Sequence, residues 1–416
     1  MEKFVVTGEV QLSGNVRVSG AKNATLPIMA ATLLCSGISV LHDVPHLRDI
    51  QAMQDILTLL GAKITRQGRT MLIDTTNVSK VEIPEHLMRE MRASVFLMGP
   101  LLGRFRKVRV SYPGGCAIGP RPINLHIKAL EKIGAKVDES FGYIDAEAAE
   151  LTGGEINFDF PSVGATENAI MAAALAKGTT TIRNAAREPE IVDLQTILNK
   201  MGANIRGAGT DTVRIDGVSS LAPTEHTIMC DRIEAGTFLM AGVLTRGDIV
   251  IENIVPEYLF SVTDKLQEIG AQIITNHNSI RVKAGELRGV DIKTLPYPGF
   301  PTDLQAPMLS LLTIAKGTSI ITETIFENRF KHVDELTRMG AKIKVEGRTA
   351  IIRGVSKLTG AIVAAPDLRA GSALVLAALA AEGTTEIEQV YHIERGYEDF
   401  DSKLQALGAQ IVRLRN

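Results

Sequence analysis

From Ser111 to His126 the chain reads SYPGGCAIGPRPINLH, with Cys116 directly behind Gly114 and Gly115 and Arg121 a short way on. A thiol can donate a proton or attack as a thiolate, and a neighbouring guanidinium favours the reactive form. The density of glycine and proline predicts an exposed loop with neither helix nor central strand. The plainer alternative is a surface cysteine in a flexible loop. Cys35 and Cys230 lie among apolar residues and read as inert core thiols, and His126 reads as a packed or hydrogen-bonded histidine before a general base. A second group of reactive side chains falls at the starts of apolar helices: Lys22 with Asn23, Arg92, Thr166 with Glu167, Asp231 with Arg232, Asp303, and Asp367 with Arg369. Any one of these reads as a cap or a solvated helix end. Recurring at equivalent places, they predict a cleft lined by helix N-termini and charges of both signs, suited to a ligand bearing phosphate or carboxylate. Metal-ligand spacing, P-loop and GxGxxG patterns are absent, so neither a metal nor a cofactor is expected.

These residues need elements to position them, and the elements repeat. The phrase Leu-x-x-hydrophobic-Gly-Ala-x-Ile/Val recurs with its glycine at Gly61, Gly134, Gly202, Gly270, Gly340 and Gly408, in steps of 73, 68, 68, 70 and 68 residues. So regular a period means one supersecondary unit copied along the chain. The surplus in the long step coincides with the Cys116 loop, and an interruption in a repeat is where function is grafted. Within each unit a helix rich in Ala and Gly, such as TENAIMAAALAKG, is apolar all round and predicts burial. A glycine is expected to cap it in the left-handed conformation, ahead of a β-branched strand. An amphipathic helix such as EIVDLQTILNKMG follows, with Ile191, Leu194, Ile197 and Leu198 at helical spacing, and then a hairpin. The unit is β-α-β-α-β-β, and strand–helix–strand elements of this kind pack sheets on helices. The terminal units are as apolar as the middle ones, which argues against an open solenoid with capping repeats. Two closed groups of three units are expected, divided near residue 230, with Pro223 to Asp231 as the crossover.

Composition bounds the function. The 416 residues are 45% hydrophobic, enough for more than one core. Lys and Arg total 45 against 47 Asp and Glu, a balance that leaves no basic excess for nucleic acid. The MEKFVVTGEVQL start alternates like a strand and does not resemble a signal peptide, and the apolar runs are too short to span a bilayer. Three cysteines supply no disulfide framework. A cytoplasmic protein is expected, with no nucleic acid, membrane or obligate protein partner.

KNATLPIMAATLL, PGGCAIGPRPINLH, PSVGATEN, FPTDLQAP, TIFENRF, DLRAGSALVLAALAAEGTT and YHIERGYE together are similar to the UDP-N-acetylglucosamine enolpyruvyltransferases, and the resemblance covers the whole chain. Relatives acting on shikimate 3-phosphate share the six-unit fold and lack the cysteine loop. The resemblance implies an α/β fold of two inside-out α/β barrel domains, each from three β-α-β-α-β-β repeats, with the active site in the interdomain cleft. Residues 21–229 would form the domain carrying the Cys116 loop. Residues 230–416 would form the other, joined by residues 1–20 as a last strand. The implied reaction is attack of the sugar 3′-hydroxyl on C2 of phosphoenolpyruvate with protonation at C3, then loss of a C3 proton and phosphate. This would be the first committed step of peptidoglycan synthesis. Such chemistry needs an acid, a base near the hydroxyl and cations for two anionic groups.

By resemblance, Cys116 is the proton donor and the site of a covalent adduct, and Asp303 interacts with the attacking hydroxyl and takes its proton. Lys22, Arg121 and Arg395 hold phosphoenolpyruvate, with Asn23 and Arg92 nearby and Asp367 and Arg369 in support. The nucleotide-sugar would contact Arg92, Arg121, Pro122, Ile123, Asn124, Leu125, Ser162, Val163, Gly164, Asp303 and Ile325. Asn124 stands where the family has an acidic residue, and Phe160 where lysine is common. Both changes bear on nucleotide affinity and not on the acid, the base or the anion clamp. The competing readings are a sibling enzyme with another acceptor and a non-catalytic paralogue that binds the sugar nucleotide.

Overall fold

The computed structural model describes residues 2–90, 92–112 and 123–415. It separates into two compact units, one of residues 20–112 with 123–229 and the other of residues 2–19 with 230–415. Among the described residues each unit holds three four-stranded sheets, and all six follow one pattern. In one of them Glu155–Asn157 runs parallel to Thr179–Arg183, which pairs antiparallel with Thr212–Asp216, and that strand pairs antiparallel with Asn204–Arg206. Parallel neighbours require a crossover, and the helix Val163–Ala173 provides it. The helix Pro189–Lys200 then leads to the closing hairpin.

Strands from distant parts of the chain complete three of the sheets. Glu225–Thr227 lies parallel to Ile38–His42, with Glu225 opposite Val40, so the expected crossover carries a strand of the first repeat. Ser13–Arg17 runs parallel to Asp248–Glu252. Glu2–Thr7 lies between Thr384–Glu388 and Gln410–Arg415, antiparallel to both. The leading residues therefore contribute two strands to two sheets, where a single last strand was expected. The strands preceding Lys22 and Arg232 are exchanged, Ser13–Arg17 completing the sheet of Asp248–Glu252 and Glu225–Thr227 that of Ile38–His42, and the last repeat ends before its second hairpin strand, which Glu2–Thr7 supplies.

The Ala- and Gly-rich helices form the cores. In one unit Arg232–Leu244, Gln305–Leu312 and Leu368–Ala380 pack on one another. In the other, Met98–Phe105 packs on Val163–Ala173, and Lys22–Ala31 is buried along most of its length. Small residues permit the approach: a methyl group at Gly236 would stand 2.4 Å from Leu304 Cδ1. The second helix class is amphipathic and lies outside this layer. Arg48–Leu60 buries Ile50, Met53, Ile56, Leu57 and Leu60, at about 1.5–3 kcal/mol for each fully buried side chain. Each unit thus has helices within and sheets around them, an inside-out α/β arrangement built from three separate sheets.

The repeated glycine has a backbone cause. Gly61, Gly134, Gly202, Gly270, Gly340 and Gly408 have φ of 112°, 101°, 104°, 116°, 90° and 97°, a region that costs other residues about 1–2 kcal/mol. The glycine expected after each buried helix is left-handed at Gly37, Gly178, Gly317 and Gly383. In the other two repeats Arg106 (φ 61°) and Arg246 (φ 55°) hold the left-handed position instead. Arg246 is exposed there, whereas Arg106 is half-buried and its Nη2 donates to Leu175 O at 3.1 Å. The predicted loop from Ser111 to His126 is also narrower at both ends, since the strand Lys107–Ser111 and the helix Asn124–Lys132 take its flanks. Among the described residues no helix is long and apolar enough to cross a membrane.

Candidate active site

In the unit of residues 2–19 and 230–415, the turn Thr302–Leu304 leads into a buried helix and presents Asp303. Its Oδ1 accepts a hydrogen bond from Arg329 Nη2 at 2.6 Å and its Oδ2 one from Arg369 Nη2 at 3.2 Å. Both guanidiniums are 4% exposed, whereas the Asp303 side chain keeps 27%. The carboxylate is thus oriented by two fixed cations. Arg369 lies 5.2 Å over the Tyr397 ring, and the Tyr397 hydroxyl meets Thr237 and Ser372. Burial works against the Arg369 charge, but Asp303, Tyr397 and Asp231 outweigh it and raise its pKa above the usual arginine value.

Asp367 supports this arrangement through the backbone. It caps the helix Leu368–Ala380, its Oδ1 accepting from Arg369 N at 2.9 Å and Ala370 N at 3.0 Å. His332 is fully buried, and burial lowers its pKa to about 4, with Asp367 offsetting and Arg329 adding to the effect. The ring is neutral at pH 7. Asp231 caps Arg232–Leu244 in the same way, at 2.9 Å from Ile233 N and 3.0 Å from Glu234 N. Arg232 is buried with its guanidinium 5.4 Å from the Tyr297 ring. Arg395 ends the short helix Val390–Arg395 and is half-buried. The backbone N–H of Ile325 donates to Glu323 Oε1 at 2.8 Å.

In the other unit Lys22 and Asn23 open a buried helix that has no side-chain cap. Lys22 Nζ stands 3.1 Å from Asp49 Oδ2, and both side chains are largely buried. Ser162 caps Val163–Ala173, its Oγ accepting from Ala165 N at 3.4 Å. Val163 and Gly164 are half-buried at the same end. A Cβ at Gly164 would come within 3.0 Å of His126 Cε1 and of Phe96 Cε1, so the glycine makes room for the histidine. Asn168 fixes that ring. Its Oδ1 accepts from Gly99 N at 2.7 Å, and its Nδ2 donates to Val95 O at 2.9 Å and lies 2.8 Å from His126 Nδ1. With Oδ1 committed to Gly99, Nδ2 must be the donor and His126 Nδ1 the acceptor, which puts the proton on Nε2. His126 is a packed, hydrogen-bonded histidine. Ile123 is buried, Leu125 half-buried and Asn124 exposed.

Cys116, Arg121, Pro122 and the side chain of Arg92 lie outside the described residues. Cys35 is buried, and burial raises its pKa, as an inert core thiol requires. Cys230 is only partly buried, packed against the core. Some of the six charged helix starts are not available to a ligand as expected. Thr166 and Glu167 are fully buried. Thr166 Oγ1 donates to Ser162 O and accepts from Ala186 N, and burial, with Glu190 and Glu188 adding, raises the Glu167 pKa well above the usual range. Asp231 and Asp367 occupy the first N–H groups of their own helices, so those helix N-termini are not open anion sites. Lys22 to Asn23 remains an uncapped start. Arg329 and His332 do not stand out in the sequence. Their only signal is their place in the TIFENRFKH segment that contains Ile325.

The geometry defines a site built on carboxylates and buried cations in an α/β repeat fold, and the comparisons give it a lineage. Residues 6–404 match the family model of EPSP synthase (3-phosphoshikimate 1-carboxyvinyltransferase). UDP-N-acetylglucosamine 1-carboxyvinyltransferase 1 of Symbiobacterium thermophilum is 56% identical, over 99% of this chain and 95% of its own length. UDP-N-acetylglucosamine 1-carboxyvinyltransferase 2 of Carboxydothermus hydrogenoformans is 54% identical over the full length of both. The enolpyruvyl transferase NikO of Streptomyces tendae superposes with a TM-score of 0.90 at 26% identity, covering 99% of this chain and 98% of that one. EPSP synthase of Acinetobacter baumannii, at 16% identity and a TM-score of 0.77 over both whole chains, shares the fold. The chain belongs to this carboxyvinyltransferase family, in the branch of the UDP-N-acetylglucosamine 1-carboxyvinyltransferases.

Proposed function

We propose that this protein is a cytoplasmic enzyme that transfers the enolpyruvyl group of phosphoenolpyruvate to the 3′-hydroxyl of UDP-N-acetylglucosamine, releasing phosphate and opening peptidoglycan synthesis. The observation that carries the reading is end-to-end identity of 53–56% to proteins named for that reaction, against 16% to an EPSP synthase of the same fold. In this reading the sugar hydroxyl attacks C2 of phosphoenolpyruvate while Cys116 delivers a proton to C3. The resulting ketal then loses a C3 proton and phosphate, which regenerates the double bond. Asp303, held by Arg329 and Arg369, orients the hydroxyl and accepts its proton. Lys22, Arg121 and Arg395 hold the phosphate and carboxylate with Asn23 and Arg92 beside them, and Asp367 and Arg369 support Asp303. The nucleotide-sugar rests on the 121–125 and 162–164 segments and on Ile325.

Phosphate release measured with UDP-N-acetylglucosamine and with shikimate 3-phosphate, phosphoenolpyruvate present in both, tests the acceptor. Turnover is expected only with the nucleotide-sugar, and release confined to the shikimate compound refutes the reading. Cys116→Ala should abolish turnover, and the epoxide fosfomycin should inactivate the native protein. Undiminished turnover of the alanine variant together with indifference to fosfomycin removes Cys116 as the acid.

A further inference from the structure

Glu323 follows the strand Thr318–Thr322 and is fully buried. Its Oε1 accepts from Thr294 Oγ1 at 2.9 Å, from Ile325 N at 2.8 Å and from Phe326 N at 3.1 Å. Its Oε2 accepts from Thr302 Oγ1 at 2.9 Å. A carboxylate offers about four acceptor positions, and here neutral donors fill four. Those donors belong to three segments: the strand end at Thr294, the turn that presents Asp303, and the Ile325–Phe326 backbone that leads to Arg329. A further clasp, Thr324 N to Thr294 Oγ1 at 2.9 Å, holds the first and third together.

From this geometry we infer that Glu323 is a positioning residue for enolpyruvyl transfer. It sets the Asp303 turn against the Ile325 backbone, and so holds the proton acceptor in register with the nucleotide-sugar. The inference rests on the function proposed above. Its physical basis is that a carboxylate serving an attacking hydroxyl must be held to a fraction of an ångström, and a misplacement of about 1 Å can cost on the order of 100-fold in rate. Salt-bridged burial would hold Glu323 more tightly in one direction, whereas four neutral donors from three segments fix those segments to one point.

The donors also predict which substitutions are tolerated. Backbone N–H groups cannot turn around, but a threonine hydroxyl can. In Glu323→Gln the amide oxygen can keep Ile325 N and Phe326 N while its NH2 donates to a rotated Thr302 hydroxyl. Glu323→Ala leaves all four donors without an acceptor, and Thr302→Val cuts the Asp303 arm alone. Steady-state kinetics on the full chain should show Thr302→Val lowering kcat about 10-fold with KM for UDP-N-acetylglucosamine within about twofold of wild type. Glu323→Ala should lower kcat about 100-fold and raise that KM, and Glu323→Gln should recover kcat to within about threefold. Wild-type kcat and KM in Thr302→Val, or Gln no better than Ala, overturns the inference. Should wild type turn over a different acceptor, the proposed function fails, and the same series run with that acceptor still decides the role of Glu323.

Discussion

Replacing His332 by Gln should change how the stability of its unit depends on pH, and the size of the change follows from the site. The imidazole is fully buried, and its pKa falls from 6.5 to about 4. The unfolded chain therefore takes up a proton below 6.5, whereas the folded unit refuses it until about pH 4. Stability contributed by the neutral buried ring is present in full above 6.5 and is lost as pH falls through that window. Each tenfold change in proton affinity is worth about 1.4 kcal/mol, so the loss totals about 3 kcal/mol, of which roughly 2 kcal/mol falls between about pH 7 and about pH 5. Glutamine does not titrate, so any packing cost it carries is the same at every pH. The assay is amide hydrogen exchange in the core helix Leu368–Ala380, read as an opening free energy at each pH. The wild-type advantage over His332→Gln should shrink by roughly 2 kcal/mol from about pH 7 to about pH 5. Histidine-selective NMR should show this ring silent in the same range. Parallel stability profiles, or a His332 resonance titrating near the ordinary histidine value, would show that the buried ring does not set this pH dependence.

Two further outcomes follow. Asp303→Asn places an NH2 against a guanidinium N–H and removes the proposed proton acceptor, so kcat should fall by about 10²–10⁴-fold while calorimetry still detects nucleotide-sugar binding; undiminished kcat excludes Asp303 as the acceptor. Gly340→Ala meets open space, since the nearest atom to an added Cβ is Thr359 Oγ1 at 3.9 Å, yet φ is 90°. It should therefore cost about 1–2 kcal/mol through backbone strain alone, read as a lower denaturation midpoint with kcat unchanged.

Much of the scaffold is legible in the sequence because it rests on local chemistry. The Gly-Ala phrase marks a left-handed helix end, which few other residues tolerate, and that requirement recurs in every copy. The helices without a polar face could only be core. What the repeat does not disclose is how its ends are closed. Glu2–Thr7 and Ser13–Arg17 enter sheets formed far along the chain: Asn15 meets Glu252 across 237 residues and Glu2 meets Arg413 across 411. No local pattern carries so distant a pairing. Nor does local pattern reveal Arg106 and Arg246 in left-handed positions, because nothing in an arginine's sequence context marks a positive φ.

The site divides along the same line. Residue types are readable at Lys22, Asp303, Asp367 and Arg369, and so is their placement at helix starts. Their partners are not, because Asp303 joins Arg329 and Arg369 across 26 and 66 residues of sequence. The sharpest departure concerns the helix N-termini, which the sequence presents as open anion sites. Asp231 and Asp367 already satisfy the first N–H groups of their helices, and a carboxylate there would repel an incoming anion. Anion recognition at these helix ends must therefore come from side-chain cations. Arg369 is buried and its Nη2 donates to Asp303, and the proposed function assigns the ligand's anionic groups in this unit to Arg395, half-buried at the end of its short helix. Asp367, which by its charge alone would mark the edge of an anion cleft, instead fixes the helix start from which Arg369 reaches Asp303. In the proposed function its charge therefore supports Asp303, and with it the attacking hydroxyl, and not the phosphate.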